Sequence, residues 1–151
     1  MKYWLPVLLW MAVIFSASAD SHSYQHSEEV MGLFEPLLHW LFPSLSPKSI
    51  GLIHEVARKC CHLTVYAVLA LLVWRAVHAS KSGLPAWSWP KVGGTLLVVL
   101  LYAASDEFHQ SFVPTRTAHV TDVLIDTSGG ALALFGLWIW KRRNRQRQTA
   151  E

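Results

Sequence analysis

Three groups of polar residues in this chain have types and spacings that could do chemistry. The densest is Asp106-Glu107-Phe108-His109-Gln110-Ser111-Phe112-Val113-Pro114-Thr115-Arg116, where seven of eleven residues are polar or titratable. On a helix, Asp106, His109 and Gln110 stand at i, i+3 and i+4 and share a face, while Phe108 and Phe112 share another. The second group is Asp122 and Asp126, at i and i+4 in an otherwise apolar run. The third is Lys59, His62 and Tyr66, at i, i+3 and i+7. If the three helices meet, Lys59, His62, Tyr66, Asp106, Glu107, His109, Gln110, Arg116, Asp122 and Asp126 line one ligand-binding pocket. His62, His109, Asp122 and Asp126 have the donor types for a divalent metal. Arg116 and Lys59 suit an anionic headgroup. His109 with Asp106 or Asp122 is the candidate acid–base set for catalysis. Blander readings stand beside these: a solvated loop, a helix cap at Asp122, a hydrogen-bonded core histidine, and a lysine that snorkels to headgroups. The chain has no nucleophile elbow, P-loop, HExxH or dinucleotide fingerprint.

The surroundings of these groups are apolar. Hydrophobic residues make up 52% of the 151 and charged residues 15%, against about 25% charge in a soluble domain. Charges cluster in short stretches between apolar runs, and polar groups inside such runs are costly unless they face a bundle interior. The expected fold is all-α: one polytopic transmembrane bundle over residues 1–151, with spans at about 3–19, 56–77, 92–112 and 118–140. A short interfacial helix is expected over Val30 to Phe42, broken by Pro43 and Pro47, with a second short helix following from Lys48. A loop is expected from His78 to Lys91, and a basic cytoplasmic tail over 141–151. Residues 3–19 read as a retained helix or as a signal peptide, since Lys2 precedes them and Ala17-Ser18-Ala19 closes them.

Lysine and arginine set the orientation. Lys2, Arg75, Lys81, Lys91 and the tail belong on the cytoplasmic side. The acidic 20–56 segment and the 106–117 turn then face outward, from a membrane crossed four times. Membrane lipid is the expected partner. Lys141, Arg142, Arg143, Arg145 and Arg147 follow a span directly, so they suit anionic headgroups and not nucleic acid. Cys60 and Cys61 are adjacent and read as small packing residues. Gly129, Gly130, Ala133 and Gly136 extend the Asp122–Asp126 stripe and permit close helix approach. Association through that span leaves an oligomer open.

Taken together, the pieces resemble the VanZ-like family of bacterial membrane proteins. The resemblance rests on Phe15-Ser16, on Lys59-x-x-His62-x-x-x-Tyr66, on Asp106-Glu107-x-His109-Gln110-x-Phe112-x-Pro114-x-Arg116, and on Asp122, Asp126 and Gly129. Thr115 stands where the family often has glycine, and Asp126 where asparagine is common. The family is named for a member associated with low-level teicoplanin resistance. The resemblance therefore implies an envelope protein whose site binds a headgroup, a lipid-linked wall precursor or an amphiphilic antibiotic such as a glycopeptide. Two rivals remain at this stage: a membrane hydrolase or transferase acting on such a lipid, and a structural module whose polar groups only fix helix register. No cofactor is expected, with a divalent metal left open.

Overall fold

A computed structural model describes residues 2–19, 29–80, 87–113 and 119–148. Five helices of more than one turn follow in order: α1 (Leu5–Ala19), α2 (Glu35–Leu41), α3 (Pro47–Ser80), α4 (Trp89–Gln110) and α5 (Val120–Gln148). No strand occurs among the described residues. Proline punctuates the starts. It opens α3 at Pro47 and occupies the first turn of α2 and of α4, where its missing N–H costs nothing.

The boundaries differ from the sequence expectation in four places. The stretch from Lys48 and the span expected at 56 are one helix of 34 residues. Nothing after Pro47 breaks it, and the Lys59–Glu55 pair, 2.9 Å apart at i, i+4, bridges the expected junction. The Val30–Phe42 segment is not one helix, because a turn at Leu33–Phe34 precedes α2. The expected loop from His78 to Lys91 is helical at both ends, with Lys81, Gly83 and Pro85 outside the described residues. The basic segment after Trp140 continues α5 to Gln148; lysine, arginine and glutamine are good helix formers, and cations favour a helix C-terminus.

α3 packs most extensively on α5, α4 lies against both, and α1 covers the α3–α4 side. The core comes from one stripe per helix: Val7 and Ile14 of α1; Tyr66, Leu69, Ala70 and Val73 of α3; Val99 and Ala103 of α4; Leu134 of α5. Two long-range bonds seat α1: Trp10 Nε1 donates to the Val65 carbonyl at 3.0 Å, and Tyr102 Oη donates to the Met11 carbonyl at 2.5 Å. Gly129 is where α3 and α5 come closest. A β-carbon there would run into the Leu63 carbonyl oxygen, with the Leu63 Cα at 3.0 Å. Gly130 is less tight, 3.2 Å from a Val99 methyl and 3.3 Å from the Ala70 Cβ, whereas Gly136 faces open space and marks no close helix approach in this chain.

The outward faces are apolar. Leu8, Leu9, Leu97, Leu101, Leu124, Leu132 and Phe135 are each more than half exposed. Such a surface is untenable for a monomer in water and ordinary in hydrocarbon. Two helical stretches, Pro47–Ala79 and Val120–Arg147, are long and apolar enough to cross a membrane. α1 is shorter, at 15 residues, and α4 carries Lys91, Asp106 and Glu107 within its 22.

Candidate functional site

The three polar groups lie at the same end of the bundle. Asp122 and Asp126 open α5, Lys59 and His62 lie in the first half of α3, and Asp106 to Gln110 close α4. They form two neighbouring constellations; of the expected lining, Lys59, His62, Asp122 and Asp126 share one cleft, and Tyr66, Asp106 and Gln110 share a network of hydrogen bonds.

The first is a narrow cleft between α3 and α5, lined by Arg58, Lys59, His62, Asp122, Ile125 and Asp126. Helical spacing explains its make-up. Arg58 and His62 stand at i and i+4 on α3, and Asp122 and Asp126 do so on α5. Asp126 is 3% exposed. Its Oδ1 lies 3.5 Å from His62 Nδ1. That is an ion-pair separation but too long for a well-formed hydrogen bond, and Oδ1 has no hydrogen-bond partner among the described residues. A buried carboxylate oxygen without a donor is expensive, so this atom is the cleft's most demanding acceptor. Lys59 is partly exposed and held by Glu55 at the outer edge.

The second constellation is internal. Asp106, 4% exposed, accepts two bonds at Oδ2: one from Tyr66 Oη at 3.3 Å and one from Gln110 Nε2 at 3.0 Å. Its Oδ1 is unpartnered among the described residues. This network ties α3 to α4 and closes the end of the core. Glu107 has a different task from the ligand contact expected of it. Its Oε1 accepts the His119 backbone N–H at 2.6 Å, an orphan donor at the start of α5. Removing that acceptor should loosen the first turn. Glu107→Ala is expected to raise amide exchange at residues 119–122 by about fivefold, the equivalent of a lost cap at ~1 kcal/mol, with exchange at residues 66–73 unchanged.

His109 does not join either set. Although it shares a sequence face with Asp106 and Gln110, it is only half-buried. Its ring packs on Phe15 of α1, with centroids 4.4 Å apart, and it makes no hydrogen bond to a carboxylate among the described residues. The expected acid–base set of His109 with Asp106 or Asp122 is therefore not assembled. Phe108 and Phe112 do share a face, edge to ring at 5.0 Å, and both are exposed. Arg116 lies outside the described residues. Among the described residues no three His, Cys, Asp or Glu side chains come together as a metal cage; of the metal candidates, His62, Asp122 and Asp126 line the cleft and His109 stands apart. Sequence reasoning passed over Arg58 as a site residue, although its i, i+4 relation to His62 was legible.

Against this geometry, a family model described as VanZ/LLP1 matches residues 3–141. The chain belongs to the VanZ/LLP1 family, and its helices are those of a membrane protein of that family. No curated protein and no solved structure matches the chain.

Proposed function

We propose that this protein crosses the bacterial inner membrane four times, with both termini in the cytoplasm. We further propose that the α3–α5 cleft takes the polar head of an amphiphile from the outer side. The proposed occupants are a lipid headgroup, a lipid-linked wall precursor or a glycopeptide-like antibiotic. The observation that carries the reading is the cleft itself, where two cations, an imidazole and two carboxylates converge beside exposed apolar helix faces.

Lengths support the placement. From Glu55 to Arg75 along α3, and from Asp122 to Arg142 along α5, the rise is about 30 Å, which matches a hydrocarbon core. One slab therefore leaves Glu55 and Asp122 at one boundary and the cations at the other. His62 then lies about 10 Å below the outer boundary and Asp126 about 6 Å below it. α1 rises about 22 Å over its 15 residues and needs the adjoining residues 2–4 to approach the same length. Lys2, Arg75, Lys91 and the α5 cations gather at the inner end, as the positive-inside rule asks. Val7 and Ile14 in the core favour a working bundle that keeps α1. In the cleft, Arg58 and Lys59 would meet a phosphate or carboxylate, and Asp122 and Asp126 would accept from hydroxyl or ammonium groups.

Native mass spectrometry in mild detergent tests this. The wild-type chain is expected to retain an added polyprenyl-linked sugar phosphate. Arg58→Gln with Lys59→Gln is expected to lose it by ~10-fold or more, the worth of one to two charge-assisted bonds. Equal retention by both proteins would remove the cleft as the site.

One further observation favours a structural role for the second constellation. Tyr66 and Gln110 both donate to Asp106 Oδ2, tying α3 to α4, an arrangement that serves helix register and closure.

A further inference from the structure

At the end of the bundle opposite the cleft, α3 and α5, with Tyr3 ahead of α1, form a groove of about 440 Å³. Arg75, His78 and Lys141 line it together with Tyr3 and Trp74, over an apolar floor of Leu71 and Leu137. No carboxylate lines it. Lys141 Nζ stands 5.5 Å above the Trp74 ring, which holds the ammonium at the groove. Beside it Lys91, 5% exposed, brings its Nζ to 3.4 Å from His78 Nδ1. Trp87 packs on Trp74 with centroids 4.8 Å apart, and its buried Nε1–H has no acceptor among the described residues.

Arg75, His78 and Lys141 thus give the groove a basic rim above an apolar floor. The group that complements such a rim is an anion with several acceptor oxygens. The leucine floor and the exposed helix faces that continue from it suit chains attached to that anion. We propose that this groove binds an anionic phospholipid of the inner leaflet, with its phosphate between Arg75 and Lys141 and its acyl chains along Leu71 and Leu137. The proposal rests on the membrane reading above but not on the cleft's ligand. The sites lie about 20 Å apart along α3, from His62 to Arg75.

The test is native mass spectrometry of the full chain in mild detergent, with dioleoylphosphatidylglycerol, dioleoylphosphatidylcholine and inorganic phosphate as separate probes. The wild-type chain should retain phosphatidylglycerol over phosphatidylcholine. Arg75→Gln with Lys141→Gln should cut that preference about 30-fold, at roughly one unit of headgroup attraction per cation. Arg75→Lys with Lys141→Arg should restore it. Arg58→Gln with Lys59→Gln at the other end should leave it unchanged, which separates failure here from failure of the cleft reading. If the double neutral variant does not fold, Lys141→Gln alone should lower the preference about 5-fold. Equal retention of the two lipids, or a preference that survives neutralisation, would overturn the proposal. Displacement of phosphatidylglycerol by inorganic phosphate at equal concentration would mark a free-anion site and overturn the lipid assignment.

Discussion

Gly129→Ala is expected to lower the thermal midpoint of the detergent-solubilised protein by about 10 °C, a loss of ~3 kcal/mol. The cause is specific. The added methyl would meet backbone, the Leu63 carbonyl, and not a side chain that can rotate away. α3 and α5 would have to separate, and their contact is the most extensive in the bundle. That separation would also open the gap between Asp126 and His62, already 3.5 Å, so ligand retention should fall with stability. Gly136→Ala is the matched control. It adds the same methyl to the same helix in open space, and its midpoint should stay within the change expected of a neutral surface substitution, about 0.5 kcal/mol. Equal effects at the two glycines would mean that the close approach at Gly129 is not what holds these helices together.

Asp126→Asn should have the opposite profile, with little effect on stability and a large effect on binding. Burying a carboxylate whose Oδ1 finds no hydrogen bond is costly. The amide keeps the shape and sheds the buried charge. Stability should therefore hold or rise by ~1 kcal/mol. Retention of the sugar-phosphate amphiphile should fall about tenfold, because a charged acceptor is worth roughly twice a neutral one. A residue that costs stability and supports binding is the pattern expected where function keeps a group in place. If Asp126→Asn left both quantities unchanged, the polar groups would be helix-packing devices, and the structural reading would stand for the cleft as well as for Asp106.

Periodicity carried the sequence reading as far as it went. The helices that bear the site, the shared end of the three polar groups, the Phe108–Phe112 pair and the close approach at Gly129 all follow from i, i+3 and i+4 spacing. Spacing fixes which residues share a face but not which neighbour that face meets. Asp106 and Gln110 turn inward to Tyr66, while His109, one residue before Gln110, leans toward α1 and finds Phe15. The split of one expected pocket into a cleft and an internal network depends on that small rotation. Glu107 misled for a related reason. Its partner is a backbone N–H twelve residues on, and no side-chain pattern announces a backbone partner. Helix ends were the other weakness. Nothing local shows that a polar segment such as Lys48 to Glu55 belongs to the same helix as the apolar turns after it, because packing of those turns supplies the stability that propensity alone does not.

The central claim is that the α3–α5 cleft receives the head of an outward-side amphiphile. The most direct measurement is photo-crosslinking of the protein in nanodiscs with a diazirine-bearing polyprenyl-linked sugar phosphate, the label carried on the sugar, followed by peptide mapping. The account predicts adducts on residues 58–62 of α3 and 122–126 of α5. It also predicts that Arg58→Gln with Lys59→Gln abolishes them. Adducts confined to the lipid-facing residues 97–101 and 132–135, or to the basic end near residues 74–78, would contradict it.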